Sequence, residues 1–230
     1  MEIYIFMFKE ESLWIKKALT KIDLDGVRTC LNVGSGSLTF RTKIQPWIEG
    51  NIFRRLKDLA KVYHLDSKPN EGIDIIWNAE NLGELDKKFD LVICTNLLEH
   101  VKNPKKVAEG LKRVVRADGH LIVTVPHNFV YHLDPIDTLF RPTNKELESL
   151  FPEFRVILSE IIQAQASTCR RFHLATRLNV LRDFLSNPKL LLLNLLYLFR
   201  QFEQSCVLLQ KPKQVLRSEC NIQEFERVKN

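Results

Sequence analysis

Short apolar runs recur through the first half of the chain, and polar, amphipathic stretches separate them. The runs are Thr29–Val33, Val62–Leu65, Ile73–Trp77, Phe89–Thr95 and His120–Val125. Each is rich in aliphatic side chains and bounded by turn residues, as strands buried on both faces of a parallel sheet are. Between them, Pro46–Lys61 places Trp47, Ile48, Ile52, Phe53, Leu56, Leu59 and Ala60 near one helical stripe. Asn103–Val115 offers Asn103 as an N-cap, Pro104 at the first helical position, and Val107, Ala108, Leu111, Val114 and Val115 on one face. Strands alternating with such helices predict an α/β fold built on a mostly parallel, doubly wound sheet.

The rhythm changes after Pro126. His127–Pro142 is dense in His, Asp and Pro and reads as a long loop. Thr143 and Glu146 form a capping-box pattern ahead of a helix over Asn144–Leu150, and Phe154–Glu160 reads as a further strand. Beyond about Gln163 the sheet pattern ends. Leu174, Leu178, Leu181 and Leu185 share a helical face with Arg170, Arg171, Arg177 and Arg182 around it. Leu190–Phe199 is apolar at nine of ten positions, but Arg200, Gln201, Glu203 and Gln204 end it short of the ~20 residues a membrane span needs. The expected division is an α/β domain over residues 1–162 and a basic, leucine-rich helical extension over residues 163–230. At the start, Glu2, a short apolar run and the lack of a small-residue cleavage site argue for a helix or strand packed on the domain rather than a signal sequence.

Charge sharpens this division. The formal net charge is +6. Residues 1–167 hold 23 Lys/Arg and 23 Asp/Glu, whereas residues 168–230 hold 11 against 5. A basic, apolar segment on a neutral domain points to an anionic surface such as a membrane, to a homodimer contact, or to packing on the sheet. Aliphatic leucines rather than stacking aromatics interleave the basic residues, which argues against nucleic acid. The five cysteines are widely spaced with no CxxC pair, so neither a zinc site nor a redox motif is expected, and a reducing cytoplasmic compartment is.

In an open α/β sheet ligands bind beyond the carboxyl ends of the strands. Those ends here carry Gly34-Ser35-Gly36, Asp66, Asn78 and Cys94–Asn96. Gly34 and Gly36 permit a tight turn and a close backbone approach. Asp66 suits a ribose diol, although a loop aspartate or helix cap looks the same in sequence. Asn78 suits an adenine edge, or a turn. Their order along the strand ends describes a site shaped for an adenine nucleoside.

At these residues the chain resembles the class I S-adenosylmethionine-dependent methyltransferases, particularly the methyltransferase-11 type. Thr29–Ser37 is similar to the family's first motif, Asp66 to its ribose-binding acid, and Asn78-Ala-Glu-Asn-Leu82 to the segment that holds adenine. Phe89–Val101 is the strongest match, and Leu111–Pro126 is similar to the family's helix, turn and fifth strand. The resemblance implies S-adenosylmethionine as cofactor, held by Asn32, Gly34, Ser35, Gly36, Asp66, Asn78, Ala79 and Cys94. The chain departs from the family pattern at the Arg116-Ala-Asp-Gly-His120 turn, in a longer gap between the first and second strands, and at three single positions. Asn32 and Asn78 stand where acids are usual, and Leu38 stands where a third glycine is common. Glu99-His100 resembles a metal-binding pair of some quinone-pathway relatives. The upstream acid is replaced by Asn96, so no metal is expected.

The loop that follows is similar to a segment of methyltransferases in glycan and lipopolysaccharide biosynthesis. It offers His127, His132, Asp134 and Asp137 as bases, His127 first, and Arg141 for a substrate phosphate or carboxylate. Alternatively, Asp137 and Arg141 pair to shape the loop. The expected reaction is methyl transfer to a hydroxyl of a sugar or lipid-linked glycan, by a cytoplasmic protein that meets a membrane at its periphery. The alternatives are a small-molecule or quinone-type methyltransferase and a non-enzymatic, cofactor-binding scaffold.

Overall fold

The structure is a computed structural model and describes residues 7–129, 131, 136–165 and 201–213. Seven strands form one sheet: β1 Thr29–Val33, β2 Lys61–Asp66, β3 Ile75–Ile76, β4 Phe89–Thr95, β5 Val115–Asn128, β6 Arg155–Gln165 and β7 Gln201–Gln210. Their order is β3-β2-β1-β4-β5-β7-β6. β1 to β5 are parallel, and β7 runs antiparallel to both neighbours. The expected α/β, mostly parallel sheet is therefore present. Its order reverses beside β1, so the carboxyl ends of β1 and β4 flank a crevice.

Helices cover both faces. α1 (Lys9–Leu19), α2 (Pro46–Ile48) and α3 (Arg54–Leu59) lie on one face. There Trp14, Ile15, Ile48, Ile52, Phe53 and Leu56 pack with Leu91, Ile93, Ile122 and Leu208 of the strands. α4 (Pro104–Val114) and α5 (Asn144–Ser149) cover the other, where Val107, Leu111, Leu147 and Phe151 meet Val92, Cys94, Leu121 and Val123. Alternation along each strand sorts these two sets, since successive side chains point to opposite faces. The helix starts follow local chemistry. Asn103 Oδ1 accepts from the Lys106 amide at 3.0 Å ahead of Pro104. Thr143 and Glu146 complete the expected capping box of α5.

Two expectations need correction. Pro46–Lys61 is not one regular helix. α2 and α3 are joined by a π-helical turn over Glu49–Phe53, and another over Phe40–Ile44 precedes them. The wider turns keep Ile48, Ile52, Phe53 and Leu56 all buried, which outweighs regular hydrogen bonding. The helical extension over 163–230 is also interrupted. β6 runs on to Gln165, and Gln201–Gln210 is a strand inserted between β5 and β6. Cys206–Leu209 is wholly buried there, so two ladders and two covered faces favour strand over helix. The leucine-rich stretch from 170 to 199 lies outside the described residues.

Candidate functional site

β1 ends in a turn that only glycine fits without strain. Gly34 has φ +71° and Gly36 φ +62°. A Cβ on Gly36 would lie 3.0 Å from the Phe40 ring, and one on Gly34 would lie 3.1 Å from Leu97. The amides of Gly34 and Ser35 both donate to the Leu65 carbonyl, at 2.9 and 3.0 Å. The Gly36 amide donates to Asp66 Oδ2 at 3.0 Å, and the Lys68 amide to Asp66 Oδ1 at 3.2 Å. The turn and the acid are thus one unit, with the Asp66 carboxylate fixed from two sides.

Arg41, which the sequence did not single out, braces this unit from behind. It is buried and donates through Nη1 to the Gly36 carbonyl and, at 3.3 Å, to Ser35 Oγ. Nη2 donates to the Gly72 carbonyl at 2.9 Å. Burial lowers the Arg41 pKa, opposed by Glu49, Asp74 and Asp66. Leu38, in place of a third glycine, packs at Gly72, where a Cβ would lie 2.6 Å from Leu38 Cβ.

A cavity of about 670 Å³ opens in front of the turn. Asn32, Gly34, Ser35, Gly36, Asp66, Asn78 and Ala79 all line it, so seven of the eight expected cofactor residues come together. Cys94 does not. It is fully buried on the opposite face of β4, where burial raises its thiol pKa, and its neighbours Ile93 and Thr95 face the cavity instead. Asn78 caps a 3-10 turn over Ala79–Glu84, its Oδ1 accepting from the Glu80 amide at 2.9 Å. Asn32 turns toward β2, its Nδ2 lying 3.2 Å from His64 Nδ1. Burial, with Arg41 and Lys57 nearby, pushes His64 down to about 3, so it is neutral.

The far wall is apolar, built from Ile44, Ile48, Ile52, Phe53 and Met7. Met7 is pinned there by the Gln45 side chain, which accepts from its amide, and by the Trp47 indole, which donates to its carbonyl; both bonds are 2.9 Å.

Polar groups gather at the floor, beyond β4 and β5. Asn96 lines the cavity with φ +47°. Its Nδ2 donates to both oxygens of Glu11, each at 3.0 Å, and the Thr124 hydroxyl donates to Glu11 Oε1. Burial pushes Glu11 up to about 7, against these hydrogen bonds. Glu99 is also fully buried and is raised to about 8, by burial first and by the Glu11 and Asp137 charges, against Arg141. His100 lines the cavity, with Nδ1 2.5 Å from the Ile136 carbonyl and Nε2 3.7 Å from Glu99 Oε1.

The loop residues fall differently from expectation. His127 sits on β5 outside the cavity lining, its Nδ1 3.1 Å from the Pro142 carbonyl. Asp137 and Arg141 pair at 2.7 Å, with the Asp137 side chain fully buried, so they shape the loop rather than face the cavity. His132 and Asp134 lie outside the described residues. The histidine at the cavity is His100, whose signal was the Glu99-His100 pair itself.

Residues 50–123 match the family model described as a methyltransferase domain. No curated protein sequence matches the chain significantly. Among solved structures, coclaurine N-methyltransferase bound to N-methylheliamine and S-adenosyl-homocysteine is similar, with a TM-score of 0.57 at 14% identity over 88% of this chain and 72% of that one. The [4+2]-cyclase SpnF gives 0.53 at 18% identity over 88% and 81%. The N-methyltransferase NodS from Bradyrhizobium japonicum, in complex with S-adenosyl-L-homocysteine, gives 0.50 at 10% identity over 88% of each chain. At these identities the likeness is one of fold. The chain therefore has the Rossmann-like class I methyltransferase fold, with a methyltransferase-domain match at its centre.

Proposed function

We propose that the chain is an S-adenosylmethionine-dependent methyltransferase that methylates a hydroxyl of a sugar or lipid-linked glycan. The observation that carries the cofactor reading is the glycine turn bonded to Asp66 at one end of the cavity. Side chains at positions 34 and 36 would fill the cradle, and the carboxylate stands where a ribose diol would meet it. Asn78 spends its oxygen on the Glu80 amide, and its amide nitrogen would be the donor to an adenine acceptor. S-adenosylmethionine, when bound, supplies a methyl group on a cationic sulfur.

The chain's own residues handle the acceptor's proton. His100 lines the cavity, with Nδ1 donating to the Ile136 carbonyl and Glu99 beside Nε2, and this position supports His100 as the group that takes a proton from the acceptor hydroxyl. It replaces His127 in that role. The glycan acceptor rests on the resemblance of the loop around Asp137 and Arg141. The apolar wall of Ile44, Ile48 and Ile52 favours a second reading, a small apolar acceptor of quinone type.

Calorimetry with S-adenosylmethionine and S-adenosylhomocysteine tests the cofactor. The Asp66→Ala variant is expected to bind at least tenfold more weakly than wild type, about 1.4 kcal/mol. A folded wild-type chain that binds neither would overturn the enzyme reading and leave a scaffold. With binding established, methyl transfer to sugars or to soluble phenols separates the two acceptors. His100→Gln should then lower kcat by roughly 10²–10⁴ while cofactor affinity stays unchanged.

A further inference from the structure

α1 carries Glu11 over the carboxyl ends of β4 and β5, where it is fully buried. A carboxylate out of water needs a counter-charge or a full set of donors. Its donors are all neutral: the Asn96 amide, the Thr124 hydroxyl and the Phe8 backbone amide. Among the described residues no Lys, Arg or His forms an ion pair with it. The charged or titratable neighbours are Glu99 on the segment after β4 and Cys206 on β7. Glu99 in turn faces His100, Asp137 and Arg141.

The counter-charge has a place to enter. Asn96, gripped by Glu11, lines the cavity beside Thr95 and Ile93. Its Oδ1 is buried with no partner among the described residues. The acids that line the cavity are Asp66, bonded to the Gly36 amide, and Glu80, whose amide is capped by Asn78. At the floor, position 32 is a neutral asparagine beside a neutral histidine. Of the two buried acids near the floor, Glu11 grips the lining residue Asn96, whereas Glu99 lies beside His100; the cations in the lining are Lys68 and Lys102.

We propose that Glu11 is the counter-charge to the cationic end of bound S-adenosylmethionine and holds the Asn96 turn against it, so that binding releases a proton from Glu11. This rests on the cofactor reading above. The left-handed Asn96 backbone is held by its amide, which donates to the Thr124 carbonyl at 3.0 Å, and by its side chain on Glu11. Burial holds the free acid near pH 7, so a cation arriving beside it shifts the group to its ionised form.

The test is calorimetry of S-adenosylmethionine binding to the full chain, between pH 6 and 8, in buffers of different ionisation enthalpy. Wild type should release up to about half a proton at pH 7 and more toward pH 6, and gain affinity as pH rises. Glu11→Gln should bind at least tenfold more weakly at pH 8 with the pH dependence gone. Thr124→Val keeps the acid but removes a donor that favours its charge, so the midpoint of the affinity profile should move to higher pH. Binding without proton exchange, equal affinity in Glu11→Gln, or proton release that survives in it (which assigns the proton to Glu99) overturns the proposal and leaves the cofactor reading intact. If Glu11→Gln fails to fold, an unmoved midpoint in Thr124→Val overturns it instead. A wild type that binds no cofactor overturns both.

Discussion

Gly36 and Arg41 show how single residues decide the shape of the cradle. Gly36→Ala must hold a side chain in the left-handed region and press it against Phe40, at a cost on the order of 1–2 kcal/mol. Chemical denaturation should show that loss, and cofactor affinity should fall with it. Arg41→Met removes the bonds to the Gly36 and Gly72 carbonyls, which are only partly buried, at a cost on the order of 0.5–1.5 kcal/mol for each bond lost. Arg41→Lys cannot reach both and should lie between wild type and Met. An Arg41→Met protein as stable as wild type would show that the brace is unnecessary. Gly34, Gly36, Asp66 and Asn78 were legible in sequence as cavity-lining residues because each stands at or just beyond a strand end. Arg41 and Glu11 were not. Their partners lie up to 31 and 113 residues away, and a charged residue in a helical pattern reads as solvated until the fold buries it.

Elements were legible where local chemistry agrees with packing. The five parallel strands follow from their apolar runs, and α4 and α5 from their caps. Thr143 bonds the Glu146 amide, while Glu146 returns a bond to the Thr143 amide at 2.8 Å. Thr143→Ala should therefore cost about 0.5–2 kcal/mol, read as a shift in the denaturation midpoint at constant slope. An effect below a few tenths would mean that packing of Leu147 alone holds α5. β7 was not legible, because a strand between two antiparallel neighbours needs no alternation and Val207-Leu-Leu continues the leucine-rich composition before it. The π-turns at 40–44 and 49–53 were hidden for a related reason. The pattern specifies which residues go inside, not the turn width that brings them there.

At the scale of the molecule, the buried Glu11, Glu99 and His64 are the described residues that bear most on how stability depends on pH between 5 and 8. Glu11 and Glu99 are raised from 4.5 to about 7 and about 8, mainly by burial. The native state thus keeps protons that the unfolded chain has lost. Their contribution is complete below pH 4.5 and disappears as pH rises through 7 and 8. His64 is lowered from 6.5 to about 3, again by burial. Its contribution is complete above 6.5 and disappears as pH falls toward 3. Between 4.5 and 6.5 the native state holds two protons on the acids against one on His64 in the unfolded state, and His120, also lowered by burial, adds to the histidine side, so the fall in this range is shallow. Stability should fall from about pH 5 to pH 8, by on the order of a few kcal/mol, and most steeply near 6.5 to 7, where the unfolded chain is losing its histidine protons and the native acids still hold most of theirs. Thermal unfolding across that range checks this, and Glu11→Gln should flatten the curve. A melting temperature that stays level or rises from pH 5 to 8 would mean that water reaches these acids. Bound S-adenosylmethionine, by ionising Glu11, should stabilise the protein more at pH 8 than at pH 6, so the cofactor offsets the loss where the free protein is weakest.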